Sequence, residues 1–451
     1  MGSPLKQGVR DMAVTLGARG GVFVCGVALQ SALARLLEPD GRGSFTACVL
    51  YGSALAVIFL CGLDTAVQYH VSAGRVPAGQ GAWTLLAVGL VGGLLGAALA
   101  LAGTYSGLRF FDKAPRSAFA VASLWVPFQI WATSLLMAVS ALRGFTAQAM
   151  LAVGMTVIRL VLTLLLCGAI KLGVHGALWA NIAASALVAL GACLWMRRHH
   201  PDGWTRPGGP ELRGLFSYGF RAYFSSLSNL ANAQIGFLLL AFFVAEGELG
   251  KFSAAAAMIL TITMVSDSLS TVLQPRIAAA ADGRPELTAA CARSAGVLAL
   301  VVVGGVAVFA EPIVRLLLSD SFLDSVPMVR VIAIGAVVRT ASKVLVPYLN
   351  GTDRPEIVAI ATVVGTVVNA AALLLLLPRI GLVGAAWSMS LGYIANAAII
   401  LWGFHAFSRM TVYSAWLPRR SDAQMLREAI LSVAGRGRVA VTPVADGEQT
   451  G

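Results

Sequence analysis

The sequence predicts an all-α polytopic membrane protein of about twelve transmembrane helices, arranged as two parallel six-helix repeats. Three observations carry that prediction. Of 451 residues, 58% are hydrophobic and 12% charged, roughly half the charged share of a soluble globular chain. The apolar residues fall into twelve blocks, most of them about 20 to 25 residues long, the length that crosses a hydrocarbon core. One phrase is written twice, nearly half the chain apart: Lys171, Gly173, Gly176, Ala177 and Trp179 stand at the same spacing as Arg379, Gly381, Gly384, Ala385 and Trp387. A soluble chain of this length would need charge enough to coat two or three domains, which excludes the soluble globular class.

In chain order the blocks cover residues 12–34, 44–72, 83–106, 117–142, 150–170, 174–196, 215–244, 252–274, 291–309, 327–349, 356–377 and 382–407. Backbone polar groups cannot stay open in lipid, so each block is helical. Each is far longer than a barrel strand and lacks its two-residue alternation. The first block is too long for a cleavable signal, holds Arg19, and is followed by no small-residue cleavage site. The six cysteines (Cys25, Cys48, Cys61, Cys167, Cys193 and Cys291) lie in or beside blocks, without CxxC or metal-ligand spacing. They read as small packing residues, and no metal site is expected.

The net charge of +12 is a topology signal. With the N-terminus inside, the cytoplasmic segments collect the larger share of Lys and Arg, including Lys6, Arg10, Arg75, Arg143, Arg197, Arg198, Arg206, Arg213, Arg419 and Arg420. Both termini are therefore expected in the cytoplasm. The run at 197–201, "RRHHP", reads as a juxtamembrane anchor for anionic lipid, and no nucleic-acid partner is implied.

The twin phrase falls between blocks 5 and 6 and between blocks 11 and 12, which defines two units of six. Six is even, so the units cross in the same sense about an axis along the membrane normal. Arg143–Gly144 and Asn350–Gly351 both precede the fifth block of a unit, residues 38–45 and 246–253 both follow the first, and Asp64 and Asp267 both fall late in the second. The phrase itself reads as a tight turn with small residues for helix packing and an interfacial Trp. The expected division is a lobe over 1–196, a linker over 197–214, a second lobe over 215–407 and a cytoplasmic tail over 408–451. Within the tail, 421–434 forms a short amphipathic pattern that Ser421 or Asp422 could cap.

Charges inside a membrane face a cavity or a partner. In block 1, Arg19, Gly26 and Gln30 stand at i, i+7 and i+11; in block 7, Arg221, Ser228 and Asn232 repeat that spacing, and Ser225 and Asn229 thicken the stripe. Such a polar face suggests a wet cavity. Arg159 and Arg339 lie near the midplane, with Lys343 one turn beyond Arg339. Clustered cations favour an anionic ligand, and guanidinium suits a diphosphate. The alternatives are snorkelling for Arg19 and Arg221 and an interhelical bridge for Arg159 and Arg339. Asp64 and Asp267 could carry a coupling H⁺ or Na⁺, or partner an arginine. No Walker A, HExxH or GxSxG sequence occurs, and the outer loops are short. No catalytic residue, enzyme activity or organic cofactor is expected. "GLVGGLLG" (89–96) is helix packing.

With these elements placed, "ARLLEPDGRGSF" after block 1, "LNGTDRPEIV" entering block 11 and "PRIGLVGAAWSMSLGY" entering block 12 resemble the polysaccharide flippases of the multidrug/oligosaccharidyl-lipid/polysaccharide superfamily, over about residues 10–407. The resemblance implies a MATE-like, V-shaped pair of lobes around a central cavity lined by helices 1, 2, 7 and 8. Alternating access there moves a polyprenyl-diphosphate-linked oligosaccharide, an O-antigen or exopolysaccharide repeat unit, outward across the cytoplasmic membrane. It matches Arg19 by position to the helix-1 arginine of lipid-linked members, and places Arg221 at the corresponding point of the second lobe. Helix 5, which carries Arg159, is usually peripheral in the family. The implied partners are the lipid-linked sugar, membrane lipids and other polysaccharide-assembly proteins. The expected drive is a coupling H⁺ or Na⁺, or the membrane potential. The alternative within the superfamily is a cation-coupled multidrug or metabolite exporter. A cavity richer in cations than in acids repels its cationic substrates.

Overall fold

The computed structural model describes residues 4–201, 203–278, 285–352, 354–408 and 410. The tail pattern at 421–434 lies outside these residues. The helices are α1 (Pro4–Leu60), α2 (Leu63–Ser72), α3 (Ala78–Gly103), α4 (Arg116–Ala141), α5 (Phe145–Thr163), α6 (Gly173–His199), α7 (Gly209–Phe243), α8 (Glu246–Ala278), α9 (Pro285–Val308), α10 (Ala310–Leu317), α11 (Val326–Lys343), α12 (Val346–Gly351) and α13 (Pro355–Ser408). No strand occurs among the described residues.

Eight stretches among the described residues are long and apolar enough to cross a membrane, and the bent α7 makes nine. Two of the eight, Gly20–Leu60 and Glu356–Ser408, each contain two spans, because the chain folds back inside them. In α1 the break is at Glu38, with φ 58°, just before Pro39. Beyond it Arg42 reaches back to the Gln30 carbonyl at 2.9 Å, which a straight helix would hold about 18 Å away. In α13 the break is at Ile380–Gly381. A Cβ on Gly384 would stand 2.5 Å from the Leu376 carbonyl oxygen, a pair about 12 Å apart in a straight helix. With α8, a helix of 33 residues, added to these, the described residues supply twelve helical stretches, one for each block.

The twin phrase makes two related turns. Gly173 and Gly381 both take positive φ, 56° and 60°, a conformation glycine adopts without steric cost. Gly176 and Gly384 then let the next helix start against the end of the one before: a Cβ on Gly176 would stand 3.1 Å from the Leu166 backbone.

Three helices are interrupted where the blocks read as continuous. The second crossing breaks at Cys61 (φ 51°) and Gly62 (φ 70°) before resuming as α2. The fifth ends in a π-helical turn over Leu164–Ala169. The tenth divides into α11 and α12 at Val344–Leu345. The segment between the ninth and tenth crossings holds α10 and a 3₁₀ turn over Asp320–Ser325. Lys251 at the start of α8 pairs with Asp324 in that turn at 2.5 Å.

The end of the bundle that holds Glu38 and Gly381 is here the hairpin end, and the opposite end, with residues 203–208, the connector end. At the hairpin end both repeats share one hydrophobic core. It runs from Ala47, Cys48, Phe110 and Phe119 to Leu240, Leu249, Phe252 and Phe322. At the connector end the core divides. Leu63, Val67, Leu135 and Met196 belong to one cluster, while Leu345, Leu349, Ile400 and Phe404 belong to another. Leu90, Val91, Leu94, Leu300, Val301, Leu374 and Leu375 point outward and are half exposed or more, as expected for faces whose solvent is lipid.

Candidate transport site

The two repeats meet along a seam formed by α1 and α2 on one side and α7 and α8 on the other. At the hairpin end the seam is self-complementary. A Cβ on Gly43 would strike the Glu246 carbonyl, and one on Gly250 would strike the Pro39 carbonyl. Pro39 and Glu246 are related by the same shift as Gly43 and Gly250, so one contact is the image of the other, as a two-fold interface requires. Thr46 and Ser253 are also images under that shift. They touch each other, the Thr46 hydroxyl donating to Ser253 Oγ at 3.1 Å, so the pseudo-two-fold axis passes between them. Only glycine permits backbones to approach this closely.

Midway along the seam, Gln234 Nε2 donates to Ser53 Oγ at 3.1 Å. Toward the connector end, α2 lies on α7. A Cβ on Gly62 would strike the Gly219 carbonyl, Tyr69 stacks on Tyr218 with centroids 4.6 Å apart, and the Arg75 guanidinium lies 5.3 Å over the Tyr69 ring. These are the helices that the resemblance implies as the lining of a central cavity; here they are packed against one another along the seam.

The structure distributes the candidate residues unevenly along this seam. Arg19 lies in α1, Ser225 and Asn229 in α7, and Asp267 in α8; the side chains of all four are outside the described residues. Arg221 is exposed on α7, and its Nε donates to the Ser217 carbonyl at 3.3 Å. Ser228 is also exposed and donates to the Phe224 carbonyl of its own helix at 2.8 Å. Gln30 is held by Arg42, whose Nη2 donates to Gln30 Oε1 at 2.7 Å. That bond fastens the first hairpin, so it accounts for Gln30 without a cavity. Asp64 occupies the first turn of α2 directly after the break, where helix N–H groups favour a carboxylate. Thr65 Oγ1 approaches Asp64 Oδ1 at 3.5 Å.

Arg159 lies on α5, which packs against α1 and α6 inside the first repeat. Its Nε and Nη2 are buried with no hydrogen-bond partner. Arg339 lies on α11 in the second repeat, its guanidinium 4.9 Å from the Tyr393 ring centroid. It lines a small cavity of about 60 Å³ together with Asn232, Asn369, Ser388, Tyr393 and Asn396. Among the described members of the block-7 stripe, Asn232 reaches this cavity. Lys343 ends α11 and is not among the lining residues.

Asn369, Asn396 and Tyr393 were not singled out by the charge pattern, which counts ionisable groups. A signal for two of them is present: Gly365 and Asn369, and Gly392 and Asn396, are each four apart, the same separation as Asn232 and Gly236. That spacing puts a small residue and an amide on one helix face.

Comparison with known proteins agrees with this architecture. A family model described as "Polysaccharide biosynthesis protein" matches residues 32–327. An uncharacterised membrane protein of Methanocaldococcus jannaschii is 23% identical over 199 residues, 43% of this chain and 38% of that one. The chain thus spans well under two thirds of that relative's length. Among solved structures, the lipid II flippase MurJ in an inward closed conformation superposes with a TM-score of 0.74 at 11% identity, covering 95% of this chain and 94% of that one. An inward-facing multidrug resistance MATE family transporter gives 0.63 at 16% identity, covering 88% and 96%. A superfamily transporter from Pyrococcus furiosus, whose binding pocket is described as of reverse polarity, gives 0.61 at 15% identity, covering 91% and 98%. At these identities the likeness is one of fold. The family match covers well over half of the chain, and the chain therefore belongs to the polysaccharide biosynthesis protein family, with the fold of the multidrug/oligosaccharidyl-lipid/polysaccharide transporters.

Proposed function

We propose that this chain is a flippase that carries a polyprenyl-diphosphate-linked oligosaccharide, an O-antigen or exopolysaccharide repeat unit, outward across the cytoplasmic membrane by alternating access. The observation that carries the reading is the construction of the seam. One contact at the hairpin end, Gly43 and Gly250 against Glu246 and Pro39, and a separate one toward the connector end, Gly62 and Tyr69 against Gly219 and Tyr218, lie at different points along the seam. Two independent closures on one axis are what alternating access requires. Residues 1–196 and 215–407 act as the two lobes, joined by 197–214, with both termini and the tail from 408 in the cytoplasm. The flippase fold of the lipid II transporter at 0.74 and the polysaccharide family match support a lipid-linked substrate.

In this reading Arg19 and Arg221 take the diphosphate as it enters between the lobes, and Asp64 and Asp267 carry the coupling H⁺ or Na⁺. The membrane potential can also contribute. An empty, positively charged cavity returning inward moves with an inside-negative field, worth ~2.3 kcal/mol per charge per 100 mV. The other assembly enzymes of the polysaccharide are the expected partners.

The test is a vesicle assay. Full-length protein is reconstituted with a fluorescent polyprenyl-diphosphate sugar, and exposure of the label to an impermeant quencher is followed. The double substitution Arg19→Ala, Arg221→Ala is expected to slow delivery on the order of tenfold or more, since each removes a charge-assisted contact to the diphosphate. Delivery at the parental rate would overturn the role of the cations. Extrusion of ethidium against an H⁺ or Na⁺ gradient, with no delivery of the lipid, would favour a cation-coupled exporter instead.

A further inference from the structure

The cavity around Arg339 lies off the seam, and the transport reading does not use it. α7 separates the two. Asn232 and Gly236 face the cavity, while Gln234, between them, bonds to Ser53 across the seam. The walls come from α7, α8, α11 and both halves of α13. We propose that this cavity is an oxyanion site, in which the guanidinium of Arg339 and the amides of Asn232, Asn369 and Asn396 hold a phosphate-class anion.

Four observations support it. First, the site is positive: among the described residues that line it none is Asp or Glu, and Arg339 is the one basic residue. Second, that charge is uncompensated. Among the described residues the Arg339 guanidinium makes no hydrogen bond or ion pair, and its one partner is the Tyr393 ring. A face-on ring recovers only part of what a guanidinium loses on leaving water, and it leaves the in-plane N–H groups pointing outward for a carboxylate or phosphate.

Third, an amide is left without a partner. Asn369 Oδ1 is buried with nothing to accept from. Half a turn of the amide replaces that oxygen with two N–H donors, which an anion in the cavity would satisfy. Fourth, the amides are placed by close backbone packing. The two halves of α13 cross at Gly365 and Gly392. A Cβ on Gly365 would stand 2.9 Å from the Gly392 carbonyl and from Asn396 Cβ, and one on Gly392 2.8 Å from the Gly365 carbonyl and from Asn369 Cβ. On the third side, a Cβ on Gly236 would stand 3.0 Å from Asn369 Nδ2. The glycines bring three helices close enough for their asparagines to converge.

An anion held here links α7 to α11 and α13. It does so within a turn of the 45° bend between Ser228 and Leu230 of α7. The same chemistry can come from free inorganic phosphate or from the phosphate of a lipid-linked substrate.

Equilibrium dialysis of radiolabelled inorganic phosphate against the full-length protein in detergent tests the site without any transport step, so failure here leaves the flippase reading standing. The parent is expected to retain about one phosphate per chain, saturably, because one guanidinium fork serves one oxyanion. Arg339→Gln is expected to weaken binding on the order of tenfold or more by removing that fork, and Arg339→Lys less, because charge remains without the planar donors. Asn369→Asp supplies an internal counter-ion, keeps the side-chain shape, and is expected to abolish binding with the fold intact. Arg315→Gln is the control, since Arg315 pairs with Glu311 and Asp320 on the exposed α10 segment, and it should bind as the parent does. Displacement of the bound phosphate by farnesyl diphosphate in mixed micelles assigns the site to the substrate's phosphate, and failure to displace assigns it to the free anion. The proposal is overturned if the parent shows no saturable binding, or if Arg339→Gln and Asn369→Asp both bind as the parent does.

Discussion

Replacing Gly43 by Ala isolates the hairpin-end closure. In most helices Gly→Ala is stabilising by about 1 kcal/mol, because alanine loses less backbone freedom. At Gly43 the added Cβ would fall on the Glu246 carbonyl of α8, and a backbone carbonyl cannot rotate aside as a side chain can. Overpacking of this kind costs about 1–3 kcal/mol. The helix-propensity gain is common to all states, whereas the clash exists only when the hairpin end is closed. The closed-to-open ratio should therefore fall by roughly 5- to 150-fold. A disulfide pair reads it directly. With the six native cysteines replaced by alanine, Thr46→Cys and Ser253→Cys place two sulfurs where the hydroxyls stand 3.1 Å apart. The parent is expected to cross-link readily and to stop transporting until reduced. Adding Gly43→Ala should slow cross-linking by the factor above. Gly154→Ala on α5, where a Cβ meets nothing within 4 Å, should leave it unchanged. Cross-linking at the parental rate in a folded Gly43→Ala protein would refute the reasoning, because the seam would then tolerate a side chain that the geometry excludes.

Two further outcomes concern stability. Gly381→Ala places a Cβ at φ 60°, ψ −144° and is expected to destabilise the protein by about 1–3 kcal/mol, measured as detergent-resistant folded fraction; a neutral effect would mean the turn relaxes. Trp125 Nε1 donates to Ser185 Oγ at 3.1 Å between α4 and α6, with Trp125 3% exposed and Ser185 fully buried. Trp125→Phe and Ser185→Ala should each cost about 1–3 kcal/mol by orphaning the partner, and the double variant should cost less than their sum; strict additivity would refute the bond.

The fold was legible in the sequence to a useful depth, and the site much less so. Apolar block length registers each crossing, because a span must be long and apolar wherever it sits. The twin phrase registers the repeat, because each copy must make the same turn: Gly173 and Gly381 share a backbone conformation that other residues rarely adopt. What block reading missed were the interruptions. Cys61–Gly62 and Val344–Leu345 lie inside continuous apolar runs, and hydropathy does not register a change of φ. Among the polar residues, spacing placed Gln30 on the same stripe as Arg19. Its partner Arg42 was invisible, because that bond depends on the chain turning back at Glu38.

The sequence by itself therefore determined which segments are long and apolar enough to cross a membrane, that they repeat as two units, and that cations outnumber acids within the apolar blocks. These properties are local or periodic, and each residue carries its share of them. Only the tertiary structure decided which charges meet. Arg221 lies on the seam helix α7, Arg159 inside the first repeat, and Arg339 in a cavity of the second with three asparagines. The physical reason is close packing. Gly43, Gly250, Gly365 and Gly392 matter because of the backbone each one faces, and that neighbour is supplied by another helix rather than by the residues beside it in the chain.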